Sequence, residues 1–258
     1  RVTTDNRVVV NGLLGLGLEF GENKLRWTNL YIRDTIKQTQ LGLGQRNETL
    51  ADFMQQDTAW FERQLIDTQF VGEFKPIDNL SVDLRLAYAN SQREAPYQTS
   101  FEYVRTNSAA DPFGNMFVNR LNGNTGEASV TFSDLNEDLW SGGLDFSYRL
   151  NPAFTVTVGG AASDTVRDSS RRHFLFRSGS NFPTGVEVLR PDLLLAPGIV
   201  KGLGIALIEP DEATPAFTAK LRNWAGYAKL NAELGEAFSL DAGVRFEKAK
   251  QSVTAVQV

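Results

Sequence analysis

The chain of 258 residues contains no cysteine and a single histidine, His173. Without cysteine, a disulfide framework and a cysteine-ligated metal site are both excluded. Acidic residues outnumber basic ones by 31 to 26, and the net charge of −5 argues against a nucleic-acid-binding surface. No apolar run approaches the roughly 18 residues that a membrane-spanning helix needs, so a helical membrane protein is excluded as well. Half-polar strands escape this hydropathy test, because their apolar residues alternate with polar ones.

Long alternating stretches are what the sequence does contain. Apolar and polar side chains alternate over residues 238–247, which is the period of a strand with one apolar and one polar face. Residues 224–234 carry the same alternation, and a turn at residues 235–237 joins the two stretches into an antiparallel hairpin whose faces agree. The expected pairs are Leu234 with Phe238, Leu230 with Ala242, Asn231 with Asp241 and Tyr227 with Arg245.

The same pattern recurs along the chain, and short and long connections alternate between the strands. Short turns are expected at residues 22–23, 75–79, 151–153 and 235–237, and long loops at about residues 38–58, 95–136 and 178–215. In the first hairpin the expected pairs are Phe20 with Leu25, Glu19 with Arg26, Leu18 with Trp27 and Leu14 with Tyr31. Residues 101–105 and 128–132 are expected to form short strands beyond the main sheet. The prediction is an all-β chain, an antiparallel up-and-down meander of about eight long strands in a single segment, residues 1–258.

The length and polarity of these strands favour a transmembrane β-barrel over a soluble sandwich. Short turns on one side and long loops on the other are typical of outer-membrane barrels, whereas sandwiches mix Greek-key crossings with shorter strands. Trp224 and Leu234 lie ten positions apart on one face. At about 3.3 Å per residue and a tilt of about 40°, they span roughly 25 Å, the height of a lipid-facing apolar band. The chain is therefore predicted to form part of a transmembrane β-barrel.

Charges of both signs occupy the other face of these strands. An apolar core cannot hold them, so a water-filled or plugged barrel interior is expected on that side. The residues predicted to face this interior are Asp83, Arg85, Asp145, Arg149, Lys229, Asp241, Arg245 and Glu247.

The last hairpin resembles one found in TonB-dependent outer-membrane receptors. In those barrels a tyrosine-containing strand is followed by a strand that ends Gly-Val/Leu-Arg-Tyr/Phe-Glu, and here Tyr227 is followed by residues 243–247, which read Gly-Val-Arg-Phe-Glu. The long strands and loops are similar to that family over the whole chain. The resemblance implies a wide barrel in the outer membrane of a Gram-negative bacterium, in contact with outer-membrane lipid. It also implies an N-terminal plug domain and a short box that engages an energy-coupling periplasmic protein.

The sequence departs from the family pattern in two ways. It contains no plug-like mixed α/β segment or coupling box, and it ends without the terminal aromatic residue typical of such barrels. We therefore expect an interior piece of a larger receptor, whose plug domain belongs to the same parent chain. The resemblance implies energy-coupled uptake of a scarce, bulky nutrient such as an iron chelate or an oligosaccharide, without a cofactor. The alternative is a soluble all-β binding module that presents long loops to a partner.

Candidate ligand contacts lie in the second long loop and at the outer end of the sixth strand. They are Tyr97, Phe101, Tyr103, Arg171, Arg172 and His173, with solvated loop residues as the alternative reading of each. Enzymatic function has little support, because His173 and its nearby serines, Ser169, Ser170 and Ser178, lack a nucleophile elbow and an orienting carboxylate pattern. No group of acidic residues has metal-ligand spacing. The chain is thus predicted to be neither an enzyme nor a metal-binding protein.

Overall fold

A computed structural model describes residues 1–45, 50–179, 182–211, 215–235 and 238–256. Within these residues one antiparallel sheet contains nine strands. They are β1 (Val2–Phe20), β2 (Asn23–Gln45), β3 (Asp52–Ile77), β4 (Leu80–Arg105), β5 (Ala128–Asn151), β6 (Phe154–Arg177), β7 (Ala206–Ile208), β8 (Ala216–Glu233) and β9 (Ser239–Ala255). Two short helices, α1 (Pro191–Leu194) and α2 (Pro197–Leu203), lie between β6 and β7 in the chain.

Each long strand pairs with the long strand that follows it in the sequence. The order across the sheet is β1-β2-β3-β4-β5-β6-β8-β9, and the short β7 pairs with the far end of β6. The predicted fold class is confirmed: over the described ranges the chain is an all-β antiparallel up-and-down meander with eight long strands.

Local chemistry closes the short turns. Gly21 has a φ of 60°, which glycine adopts without steric cost. Asn23 donates from Nδ2 to the carbonyl oxygen of Phe20 at 3.1 Å. In the turn between β5 and β6, the side-chain oxygen of Asn151 accepts hydrogen bonds from the backbone N–H groups of Ala153 and Phe154, at 2.9 and 3.0 Å.

The predicted register of the last hairpin is confirmed. Tyr227 lies opposite Arg245, and the two other predicted strand pairs, Leu230 with Ala242 and Asn231 with Asp241, are also present. The backbone N–H of Leu234 donates to the carbonyl oxygen of Phe238 at 2.8 Å. Residues 236 and 237, at the tip of the predicted turn, lie outside the described residues.

The predicted register of the first hairpin is wrong by two residues. Leu18 pairs with Leu25 and not with Trp27, because the two loop residues are Gly21 and Glu22 and the pairing starts at Phe20 with Asn23. A slip of one residue would have moved every side chain to the other face, whereas a slip of two leaves the faces unchanged. The assignment of residues to faces therefore survives the correction.

Proline lies at an irregularity in two of the ladders. The β3–β4 register shifts between Phe74 and Ile77, around Pro76, and the β4–β5 register shifts between Ala95 and Gln98, around Pro96. Proline has no backbone N–H to contribute to a ladder, so strands tolerate it at bulges. Pairing resumes at Ile77 opposite Leu80, which makes the turn predicted at residues 75–79 shorter than expected.

The first two long loops are also shorter than predicted. β2 continues to Gln45 and β3 begins at Asp52, both inside the loop expected at 38–58, of which residues 46–49 lie outside the described residues. β4 continues to Arg105 and β5 begins at Ala128, both inside the loop expected at 95–136, so the two expected short strands are parts of β4 and β5. The strands remain paired although their side chains become polar. The hydrogen bonds of the ladder join backbone N–H and C=O groups and do not depend on the type of side chain. The third connection follows the predicted 178–215 closely.

A packed core forms at only one end of the described sheet, beside the long connections. Its buried members are Phe101, Tyr103, Leu121, Ala128 and Leu194. The rest of the sheet is a single layer, in which the main contacts of each long strand are with its ladder neighbours. Apolar side chains there are exposed, for example Leu18 at 57% and Phe246 at 72%.

Candidate functional site

The ladders divide the side chains of the eight long strands into two faces. One transverse row of directly opposed residues contains only leucine, glycine and phenylalanine: Leu18, Leu25, Gly72, Leu84, Leu144, Gly160, Gly226 and Phe246. We call the face that carries this row the apolar face. The opposite face carries Asp83, Arg85, Asp145 and Arg245, and we call it the polar face.

From β3 to β9, the point at which the apolar face becomes charged shifts along the strands. Counted from the short turns, the first charged residues on this face from β3 to β9 are Glu62, Glu94, Asp138, Asp164, Arg222 and Lys248. Glu62 lies opposite Glu94, but Lys248 lies opposite Trp224, so the boundary moves towards the short turns from β3 to β9.

The slope of this boundary matches the tilt of strands in a membrane barrel. The boundary shifts by about eight residues over five strand-to-strand steps, which is roughly 45° at about 3.3 Å per residue and about 4.8 Å between strands. Strands of transmembrane barrels are tilted by about 35–45° from the barrel axis. If a flat apolar layer set the boundary at one height along the barrel axis, the boundary would cross the tilted strands at this angle.

A connected and largely buried group on the polar face is centred on Asp145. This residue is 5% exposed and accepts hydrogen bonds from Arg85 of β4 and from Tyr227 of β8, the latter at 2.7 Å between Tyr227 Oη and Asp145 Oδ1. The Tyr227 side chain reaches across β6 to Asp145, and Gly159 of β6 lies between these two residues. A Cβ atom on Gly159 would overlap Asp145 Oδ1 and lie 2.5 Å from the Tyr227 ring, so this arrangement requires glycine.

All eight residues predicted to face a barrel interior share the polar face. The register places Asp83 opposite Asp145 and Arg149 opposite Thr155 on that face. On β8 and β9, Lys229 pairs with Asp241 at 3.0 Å and Arg245 with Glu247 at 3.1 Å. The structure thus groups the predicted residues; whether they face an interior stays a prediction.

An open cavity of about 520 Å³ lies along the same face. Polar side chains of β3, β4, β5, β8 and β9 line it, namely Gln69, Arg85, Ser141, Asn223, Arg245 and Glu247. Small residues such as Gly143 and Ala161 leave the space between them. Hydrogen-bond donors, acceptors and charges of both signs are therefore available to water or to a polar partner.

The three aromatic ligand candidates are in different environments. Phe101 and Tyr103 are each 2% exposed, and Tyr103 Oη donates to the carbonyl oxygen of Leu189 at 2.7 Å. Burial raises the pKa of Tyr103. Tyr97 is 39% exposed and packs edge-to-face against Trp60, with ring centroids 6.3 Å apart. Phe101 and Tyr103 thus belong to the packed core of the long connections, and Tyr97 is the most exposed of the three.

The basic trio at the end of β6 is divided by strand alternation. Arg171 and His173 lie opposite Ser133 and Thr131, and His173 Nδ1 is 2.9 Å from Thr131 Oγ1. Arg172 points to the other face, where it forms an ion pair with Glu209 at 2.7 Å. Arg171 and His173 therefore share the polar face of β6, while Arg172 is held elsewhere. The hydroxyl partner of His173 is a threonine and not one of the three nearby serines.

Comparison with known proteins gives little beyond this geometry. No protein-family model matches the chain, and no curated protein sequence does either. The crystal structure of the siderophore receptor PiuA from Acinetobacter baumannii is similar to 99% of this chain, with 10% identity and a TM-score of 0.41. This chain covers 41% of that receptor chain. A likeness of this strength supports no conclusion about function.

Among the described residues, no group of three or more histidine, cysteine, aspartate or glutamate side chains is arranged to hold a metal ion. No helix in the described ranges is long and apolar enough to cross a bilayer.

Proposed function

We propose that this chain is a membrane-embedded part of an outer-membrane receptor barrel. In this proposal the apolar face contacts lipid acyl chains, and the polar face lines an aqueous or plugged interior. The sloping boundary on the apolar face carries the proposal, because it runs at the angle that a flat apolar layer makes with tilted strands.

The exposure of the apolar face supports the same proposal. Val244 and Phe246 are each 72% exposed, and no second layer of the described chain covers them. Burying a large apolar side chain stabilises a protein by about 1.5–3 kcal/mol, so a sheet with this many uncovered residues needs an apolar environment. Acyl chains provide that environment without requiring a complementary protein surface.

The polar face suits the interior of such a barrel. Asp145 accepts hydrogen bonds from Arg85 and Tyr227 of two other strands. Lys229 pairs with Asp241 of the neighbouring strand, and Arg245 pairs with Glu247 of its own strand. Charges that are paired in this way are compatible with water or with a polar domain, but not with acyl chains. In the proposed receptor, the plug of the parent chain occupies this interior, and an energy-coupling periplasmic protein moves it.

The resemblance of residues 243–247 to TonB-dependent receptors suggests the cargo class. We propose uptake of a scarce, bulky nutrient such as an iron chelate or an oligosaccharide. Of the six ligand contacts predicted from the sequence, Tyr97, Arg171 and His173 are retained. Phe101 and Tyr103 are left out because they are buried, and Arg172 because Glu209 holds its side chain.

Membrane insertion of the chain is tested by flotation. The chain is refolded in the presence of phospholipid vesicles, washed at alkaline pH to release peripheral proteins, and centrifuged through a density gradient. We expect it to float with the vesicles after the wash. Recovery of a folded, monomeric chain in the lipid-free fractions would overturn the proposal and favour the soluble binding module.

A further inference from the structure

Four basic residues form a cluster on the apolar face of β8 and β9. They are Lys220 and Arg222 of β8 and Lys248 and Lys250 of β9. The ladder places Arg222 directly opposite Lys250, and Trp224 directly opposite Lys248. All four side chains are exposed. We call these four residues the basic cluster.

Most of the basic cluster lacks an acidic partner. Arg222 Nε is 2.7 Å from Asp164 Oδ2, but within the described residues Lys220, Lys248 and Lys250 make no hydrogen bond or ion pair. Like charges directly opposite each other on neighbouring strands are destabilising. An arrangement of this kind favours binding of an anion between the strands.

Other cations on the apolar face are neutralised or covered. Arg33 of β2 forms an ion pair with Glu62 of β3, and the Lys37 ammonium lies 4.1 Å from the centroid of the Trp60 ring. The unpaired positive charge of the apolar face is thus concentrated on β8 and β9 within the described residues.

The basic cluster begins where the apolar surface ends. Towards the short turns, Lys248 is followed on its face by Phe246, and Arg222 by Trp224, both exposed and apolar. If the apolar face contacts acyl chains, the basic cluster lies at the level of the lipid headgroups, where tryptophan is also enriched. Lysine residues near a membrane surface attract anionic headgroups.

We propose that the basic cluster binds the phosphate of an anionic lipid headgroup, while Trp224 and Phe246 contact the acyl chains of the same lipid. This inference rests on the proposed membrane insertion. Continuity between the charged and the apolar surfaces favours a lipid over a free anion, because inorganic phosphate would gain nothing from the neighbouring Trp224 and Phe246.

The test compares lipids that differ in headgroup charge and share the same acyl chains. The chain in non-ionic detergent micelles is titrated with phosphatidylglycerol or with phosphatidylcholine, and bound lipid is counted by native mass spectrometry. The Lys248→Gln/Lys250→Gln variant removes half of the cluster at exposed positions. A matched control, Lys24→Gln/Lys75→Gln, removes two lysines beside the short turns, where they pair with Glu19 and Glu22.

We expect the wild-type chain to bind phosphatidylglycerol in preference to phosphatidylcholine. This preference should fall about tenfold or more in the Lys248/Lys250 variant and stay unchanged in the control. Equal binding of the two lipids by the wild type, or an unchanged preference in the variant, would overturn the inference and leave membrane insertion standing. Binding of inorganic phosphate to the wild type without any lipid preference would assign the cluster to a free anion and also overturn it. A chain that binds neither lipid and stays folded and monomeric without detergent would instead contradict the proposed function.

Discussion

Tyr227 donates a hydrogen bond of 2.7 Å to Asp145 although their strands, β8 and β5, are not adjacent. The contact passes over Gly159 of β6, the residue that lies opposite both in the ladders. Arg85 of β4 binds the other carboxylate oxygen of Asp145. One buried carboxylate therefore links β4, β5 and β8 on the polar face, and it can do so only while β6 contributes no side chain at this point.

Substitution of Gly159 by alanine is expected to destabilise the sheet. The added Cβ would meet the Asp145 carboxylate and the Tyr227 ring at sub-van der Waals distances, and overpacking of this kind costs about 1–3 kcal/mol. The measurement is the urea midpoint of the chain in vesicles. Gly160→Ala is the matched control, because its Cβ would meet only the carbonyl oxygen of Ala225 at 3.5 Å, an ordinary contact. Equal midpoints for the two variants would contradict the account of this site.

Removal of the Tyr227 hydroxyl tests the hydrogen bond itself. Tyr227→Phe keeps the ring and leaves Asp145 with Arg85 as its side-chain partner, and a hydrogen bond to a charged group contributes about 1.5–3 kcal/mol. We expect a loss in the free energy of unfolding of at least about 1 kcal/mol. Tyr148→Phe, at an exposed ring without a side-chain hydrogen bond in the described structure, is expected to have no effect. A loss of the same size in Tyr148→Phe would show that the assay does not report on this contact.

The core of the long connections depends on Leu194. This residue is 0% exposed, whereas its neighbour Leu193 is 47% exposed. Leu194→Ala is expected to destabilise the packed connections by about 2–5 kcal/mol through loss of buried surface and formation of a cavity. Hydrogen exchange of residues 106–127 measures this opening locally, with Leu193→Ala as the control. Similar exchange in both variants would mean that these connections do not fold around Leu194.

Acid is expected to loosen the same connections through Asp52. Hydrogen bonds from Asn107 and Arg105 hold the pKa of Asp52 below its ordinary value. A lowered pKa contributes stability that is present above the unfolded-state pKa of about 3.9 and is lost as the pH falls through the lower folded-state pKa. Hydrogen exchange around Asn107 should therefore accelerate below about pH 4 relative to the intrinsic rate. Asp52→Asn should remove this pH dependence, while Asp192→Asn, whose side chain is 61% exposed, should keep it.

Alternation in the sequence predicts which face of a strand each side chain occupies, but it does not always predict which residues of two strands pair. The last hairpin was predicted in register because Tyr227, Asn231, Asp241 and Arg245 are distinct polar residues that match only one way. In β1 several successive apolar positions are leucine, so two registers that differ by two residues look alike. Trp27 lies opposite Leu16 in the structure and opposite Leu18 in the prediction. Only the geometry of the Gly21 turn decides between them.

Sequence reasoning reached the polar residues of the candidate site but not their partnerships. The link between Tyr227 and Asp145 joins strands that are two apart in the sheet, and alternation describes only neighbours. Phe101 and Tyr103 were predicted to bind ligand because aromatic residues near a loop suit that role. Their burial depends on Leu121 and Leu194, which come from connections with no periodic pattern.

Contact of the apolar face with acyl chains is tested most directly by tryptophan quenching in vesicles of brominated lipid. Three single-tryptophan variants are compared, each with the other tryptophans changed to phenylalanine. Trp27 lies three face positions before the first charged residue of β2, Trp224 lies next to Arg222, and Trp60 lies beyond Glu62, all on the apolar face. With bromine at mid-chain, contact of the apolar face with acyl chains should give strong quenching of Trp27, weaker quenching of Trp224 and little quenching of Trp60. Quenching of Trp27 no stronger than that of Trp60 would contradict it.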